Sequence, residues 1–89
     1  MRAVITVIGQ DKVGIIAGVS GILAEDSVNI LDISQTIMQD VFTMIMLVDL
    51  ATSDKTFEDV NEKLQAFAKS KEVTIHLQHK NIFNAMHRI

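Results

Sequence analysis

The sequence predicts a two-layer α+β fold in which two helices cover one face of a four-stranded antiparallel sheet. Three observations indicate this fold. Four short segments are rich in apolar residues, as is typical of strands, and two longer segments carry apolar residues at helical spacing. The order of the segments is βαββαβ, and right-handed crossovers would place both helices on the same side of the sheet. The chain has 89 residues, the size of one domain.

The first strand is predicted over residues 2–9, with apolar side chains on both of its faces. This double apolar pattern favours a central strand that is covered on both sides. The first helix is predicted over residues 13–26, because apolar residues recur there at intervals of three and four. Its core stripe consists of Ile15, Ile16, Val19, Ile22 and Leu23.

The first helix also carries a stripe of glycines and lacks charge. Gly14, Gly18 and Gly21 lie on a second face, and no charged residue occurs between Val13 and Ala24. Each glycine inside a helix costs about 1 kcal/mol relative to alanine. The glycines allow either close packing on the sheet or the approach of another backbone or a ligand. The missing charge favours contact with a partner, since solvated helices normally carry charge on their outer face.

The second and third strands are predicted over residues 28–39 and 41–50, with a tight turn at Gln39-Asp40. Both faces of the third strand are apolar, which favours partner packing or ligand contact over open water. Regular alternation along the second strand predicts one face that contains Asn29, Leu31, Ile33, Gln35 and Ile37.

The second helix is predicted over residues 56–70 and the fourth strand over residues 73–79. Thr56 and Asp59 have the spacing of a capping box at the start of this helix. The complete pattern predicts a ferredoxin-like sandwich with strand order 4-1-3-2, formed by residues 1–79. Residues 80–89 are predicted to form a short amphipathic tail that packs on the domain or on a neighbour, with apolar residues Ile82, Phe83, Met86 and Ile89.

The composition excludes several classes of protein. The chain has no cysteine, so it contains no disulfide and no thiolate metal site, and this fits a cytoplasmic protein. Its first residues lack the layout of a signal peptide, and no apolar run reaches the ~20 residues of a membrane span. The net charge of -3 and the absence of Trp and Tyr argue against direct nucleic-acid binding.

The sequence also lacks the residues that common enzyme classes need, and we expect a protein without catalytic activity or cofactor. Phosphate hydrolysis on this fold would require an arginine near the first helix, whereas the arginines are Arg2 and Arg88. His76 and His79 are three residues apart on a predicted strand, so their side chains point to opposite faces. Surface histidines are therefore favoured over a metal site or a small enzyme that uses one of them.

The most distinctive stretch is the turn from the first strand to the first helix, Gly9-Gln10-Asp11-Lys12-Val13-Gly14. Backbone N–H groups at the start of a helix have no partner within the helix and can bind the charged end of a small molecule. Asp11 also has a structural explanation, since aspartate is a preferred residue for capping a helix. Asn29 can likewise serve to shape the turn into the second strand.

Two segments resemble the ACT domain, a small ligand-sensing module of amino-acid metabolism. They are Asp11-Lys12-Val13-Gly14-Ile15-Ile16-Ala17 and Ser27-Val28-Asn29-Ile30, and the resemblance extends over residues 2–79. The chain is similar to free-standing single-domain bacterial ACT proteins, to the repressor of the glycine cleavage system, and to the N-terminal module of formyltetrahydrofolate deformylase. Val13 departs from the family pattern, which has proline at that position.

The resemblance implies a regulatory protein that binds an amino acid at the interface of a homodimer. It implies that ligand contacts come from the first loop and the second strand, at Gln10, Asp11, Lys12, Val13, Gly14, Ile15 and Asn29. Gly9 and Asp11 replace the histidine and asparagine of the serine-sensing members, and an acid favours an ammonium group over a carboxylate. The alternative is an interaction module that binds an enzyme or a transcription factor and takes no small ligand.

Overall fold

The computed structural model describes residues 1–81 and confirms the predicted order of elements. The predicted tail lies outside these residues, apart from Lys80 and Asn81, which have helical backbone conformation. No helix within the described residues is long and apolar enough to cross a membrane. The elements are β1 (Arg2–Gly9), α1 (Lys12–Glu25), β2 (Asn29–Met38), β3 (Val41–Asp49), α2 (Phe57–Lys71) and β4 (Thr74–His79).

The four strands form one antiparallel sheet in the order β2-β3-β1-β4, which confirms the predicted order 4-1-3-2. Strand β1 is central, and it pairs with β3 on one edge and with β4 on the other. Its side chains Ala3, Ile5 and Val7 point towards the helices and are fully buried. The prediction of a central first strand is therefore confirmed, although Ile8 on its other face is exposed.

The core lies between the sheet and the two helices. From α1 it takes Ile15, Val19 and Leu23, while Ile16 and Ile22 are half-buried beside it. These five residues are the stripe that the sequence predicts. From α2 and the sheet the core takes Val60, Leu64, Ala68, Phe42, Met44, Met46, Val48 and Ile75.

Strand β2 is an edge strand and departs from regular alternation. The pairing with β3 shifts between Ile30 and Asp32, so a β-bulge leaves Leu31 without a cross-strand partner. The prediction that Asn29 shares a face with Ile33 and Ile37 is therefore wrong. Ile33, Gln35 and Ile37 oppose the buried residues Met46, Met44 and Phe42, whereas Asn29 opposes Asp49 on the side of the sheet away from the helices.

The glycines of α1 have different surroundings, so they do not form one functional stripe. A Cβ atom at Gly18 would collide with the ring of Phe67, which means that this glycine allows close approach of α2 rather than of the sheet. Gly14 faces the carboxylate of Asp11, and nothing lies within 4 Å of a Cβ atom at Gly21. Of the predicted explanations, close packing applies to Gly18, with α2 as the neighbour.

A charged cluster joins the end of α1 to the middle of α2 and to the connection after β3. Asp26, which follows α1, is buried and accepts a hydrogen bond from Lys63 Nζ at 2.7 Å, while Glu25 accepts one at 2.8 Å. Ser53, in the connection after β3, donates to the carbonyl oxygen of Asp26 at 2.5 Å. The hydrogen bonds to Asp26 and Glu25 raise the pKa of Lys63 above its usual value. Lys63 therefore contributes its full stabilisation of the folded state at pH values below the pKa that it has in the unfolded chain. This contribution is lost only as the pH rises through the higher pKa of Lys63 in the folded state.

Helix α2 begins with the predicted capping box. The backbone N–H of Asp59 donates to the Thr56 hydroxyl, and the backbone N–H of Thr56 donates to the Asp59 carboxylate, each at 3.1 Å. The hydrogen bond from the Thr56 backbone lowers the pKa of Asp59. The cap therefore fixes where the second helix starts, as the sequence predicts.

The different surroundings of Gly18 and Gly21 predict opposite effects on stability when each is replaced by alanine. Gly18→Ala should lower the free energy of unfolding by about 1–2 kcal/mol, because the added methyl group displaces the Phe67 ring. Gly21→Ala should raise it by about 0.5–1 kcal/mol, because the site is open and alanine favours helix. Urea denaturation of both variants measures the difference, and equal shifts of the same sign would contradict this packing.

Candidate functional site

The first loop is built around Asp11, which caps α1. The carboxylate oxygen Oδ1 of Asp11 accepts a hydrogen bond from the Gly14 backbone N–H at 3.1 Å. The carbonyl oxygen of Asp11 accepts another from the Ile15 N–H at 2.9 Å. The structural role that the sequence suggests for Asp11 is thus confirmed, and the side chain stays exposed at the surface.

Both glycines of the loop are required by close contacts. A Cβ atom at Gly9 would lie 2.6 Å from Val73 Cγ1 and 2.7 Å from Ile15 Cδ1, closer than carbon atoms can approach. At Gly14 a Cβ atom would collide with the carboxylate of Asp11. Gly9 therefore lets β1 end against the α2–β4 connection, and Gly14 lets the cap close.

The loop residues differ in what they present to a ligand. Gln10, Asp11 and Lys12 are exposed, and the Val13 side chain is 77% exposed. In contrast, the Ile15 side chain is buried in the core. The Ile15 side chain can thus help to position the loop. Unlike the exposed loop residues, however, it cannot contact a ligand at the surface.

A cavity of about 450 Å³ lies between the first loop and the turn that joins β2 to β3. The sequence predicts the loop residues Gln10 and Lys12 at this place but not the residues from the turn, where Gln39 has a left-handed backbone with φ 55°. The signal that could have found them is the antiparallel register, which pairs Gly9 with Phe42. The lining residues are Gln10, Lys12, Ile37, Gln39, Asp40 and Phe42.

A second cavity of about 450 Å³ lies on the other side of the same loop. Gly9, Gln10 and Asp11 form one wall, and the connection from α2 to β4 forms the other. That wall contains the charged residues Lys71 and Glu72. The loop therefore borders a cavity on each side, and Gln10 contributes to both.

Asn29 lies far from the first loop in the same chain. It pairs with Asp49, which in turn pairs with Arg2 at the start of β1, whereas the loop follows Gly9 at the other end. Seven residues of extended strand separate these ends by about 23 Å. Within one chain, residues 10–14 therefore lie together in the first loop, whereas Asn29 lies at the opposite end of the sheet.

The histidines of β4 point to opposite faces, as predicted. His76 pairs with Thr6 on the side away from the helices, and His79 pairs with Ala3 on the core side. The ring of His79 stacks on that of Phe57, with centroids 4.4 Å apart and planes 4° from parallel. Within residues 1–81, no three His, Cys, Asp or Glu side chains lie together in a group that could hold a metal ion.

The capping role of Asp11 predicts how two substitutions differ. Asp11→Ala removes the acceptor of the Gly14 N–H and should lower the free energy of unfolding by about 1 kcal/mol. Asp11→Asn keeps an acceptor oxygen and should change stability by only a few tenths of a kcal/mol, since asparagine caps helices about as well as aspartate. Chemical denaturation compares the two, and an equal loss for Asn and Ala would contradict the capping role.

Comparison with known proteins identifies relatives over the whole chain. A UPF0237 protein of Clostridium acetobutylicum is 60% identical over 89 residues, which cover 100% of both chains. The structure of an ACT domain protein from Streptococcus pneumoniae is 43% identical, with a TM-score of 0.79 and 93% of each chain covered.

A formyltetrahydrofolate deformylase from Pseudomonas syringae shares the fold. It is 22% identical, with a TM-score of 0.78, and the match covers 88% of this chain but 27% of the deformylase. The similarity therefore concerns one module of that larger protein. The family model of the ACT domain matches residues 2–78. The chain thus belongs to the ACT-domain family, as the loop and the second-strand motif indicated.

Proposed function

We propose that this protein is a cytoplasmic, non-catalytic regulatory module that binds an amino acid or a related metabolite between two copies of the chain. The family consists of regulatory domains, many of which bind amino acids. The observation that carries the proposal is the separation of the first loop from Asn29 in one chain. If two β2 edges pair antiparallel, the loop of one protomer comes to lie beside Asn29 of the partner subunit.

The surface available for this pairing is the β2 edge together with the exposed face of α1. We call it the edge surface. On β2 it includes Ile33, Ile37 and Met38, which are 42%, 59% and 70% exposed. Between Lys12 and Glu25 at its two ends, the exposed positions of α1 are uncharged: Val13, Ala17, Gly21 and Ala24. An unpaired strand edge beside exposed apolar side chains is a common site of association between chains.

The cavity between the loop and the β2–β3 turn supports a small zwitterionic ligand. Its volume of about 450 Å³ suits a metabolite of this size. Lys12 offers a cation for a carboxylate, and Asp40 offers an anion for an ammonium group. The exposed apolar side chain of Ile37 offers contact for the side chain of the ligand, and the start of β2 at Asn29 of the partner subunit would border the site across the paired edge.

The dimer can be tested with one charge on the edge surface. Ala17→Arg should convert the dimer into a monomer at micromolar concentration, because the interface would remove water from the charged arginine side chain. Light scattering gives the mass, and Ala66→Arg on the exposed side of α2 is the matched control. A wild-type chain that is monomeric, or an equal effect of both variants, would count against the edge surface.

Ligand binding can be tested by calorimetry against the twenty amino acids. Asp11→Asn and Asn29→Ala should each weaken the binding of the best ligand by roughly tenfold, which corresponds to about 1.4 kcal/mol, since the first removes a negative charge and the second removes a polar side chain. Asp11→Asn preserves the helix cap, so its effect reports on charge rather than on folding. No heat from any amino acid with the wild-type dimer would overturn the sensing role.

A second candidate is an interaction module without a small ligand. The highly exposed apolar Val13 and the uncharged face of α1 favour it, because both suit contact with a protein. This function would leave the dimer intact and give no heat with amino acids. Capture of an enzyme or a transcription factor by the wild type, but not by Val13→Glu, would then support it.

A further inference from the structure

The side of the sheet away from the helices, which we call the open face, has an apolar centre. Val4 lies at this centre between Leu47 of β3 and Gln78 of β4, and Ile45 lies beside Leu47 on the same face. Both helices pack on the other side of the sheet, so none of the helices formed by residues 1–81 crosses the open face.

Burial on the open face is uneven along β1. Val4 is 4% exposed, whereas Ile8, four residues later on the same face, is 41% exposed. Leu47 and Gln78 flank Val4 at the spacing of neighbouring strands. Leu47 and Ile45 are also only half-buried rather than exposed. The end of the face that contains Val4 is thus the end that behaves as a covered surface.

The chain leaves the sheet at this same end. The last residue of β4, His79, pairs with Ala3, the neighbour of Val4, and the backbone becomes helical at Lys80 and Asn81. Eight residues follow, of which four are large and apolar: Ile82, Phe83, Met86 and Ile89. In a helix eight residues extend about 12 Å, and two strand spacings amount to about 10 Å, so the segment can reach from β4 across β1 to β3.

We propose that residues 82–89 dock on the open face of their own chain and cover Val4, Ile45 and Leu47. The apolar residues of the segment match the apolar centre of the face, and Arg88 complements Asp49 at its rim. A face covered in this way cannot stack on the sheet of another molecule. Association with other chains is then directed to the β2 edge. The proposal does not depend on whether the protein binds an amino acid.

The absence of cysteine makes a cross-linking test direct. Leu47→Cys with Met86→Cys should form a disulfide within one chain under mild oxidation, because docking brings the two Cα atoms within about 7 Å. Ile8→Cys with Met86→Cys is the matched control at the exposed end of the same face, and it should form at least roughly fivefold less disulfide. Equal disulfide yields for the two cysteine pairs would overturn docking within the chain. A disulfide between two chains of the variant with Leu47→Cys and Met86→Cys would also overturn it.

Substitutions in the segment give a second readout. Phe83→Ser should expose the apolar centre, so the fluorescence of an anilinonaphthalene sulfonate dye should rise severalfold and the melting temperature should fall by roughly 4–8 °C. Asn84→Ser, which changes a polar neighbour in the same segment, should leave both measurements unchanged. If Phe83→Ser matches the wild type in both measurements, the segment does not cover this face.

Discussion

The pairing of β1 along both of its edges is the constraint on which the rest of the structure depends. Ala3, Ile5 and Val7 are buried beneath the helices, and β3 and β4 pair with the strand on either side. Because β1 is held along its whole length, its two ends are fixed points of the fold. The first loop starts from one end, and the last strand finishes beside the other.

This arrangement separates the residues that the ACT-domain motif combines. Asp11 and Gly14 form the cap of α1 at one end of the sheet, while Asn29 begins β2 at the other. A site that uses both must therefore be assembled from two chains. In the proposed dimer, ligand binding and dimerisation would be parts of one equilibrium, since each chain would supply what the other lacks. The cavity beside the loop, which Lys12 and Asp40 line, is the place where the proposed ligand would bind.

Asp11 also shows that structural and functional explanations of a residue are compatible. One carboxylate oxygen accepts a hydrogen bond from the Gly14 N–H and helps to start α1, while the side chain remains exposed at the surface. Val13, where the family pattern has proline, does not affect this cap, because the hydrogen bond is donated by the Gly14 N–H. At the far end of α1, the partly buried ion pair of Asp26 with Lys63 joins that helix to α2, just before Asn29.

The sequence by itself determined the order of the elements, the strand order, the core stripe of α1 and the capping box of α2. Each of these follows from periodicity or from contacts only a few residues apart, which short-range sequence patterns record. The tertiary structure decided the rest. The bulge at Leu31 moved Asn29 to the other face, and Gly18 proved to face Phe67. The turn residues Gln39 and Asp40 line the cavity beside the first loop. These features depend on register and packing between distant segments, and no local pattern specifies such long-range contacts.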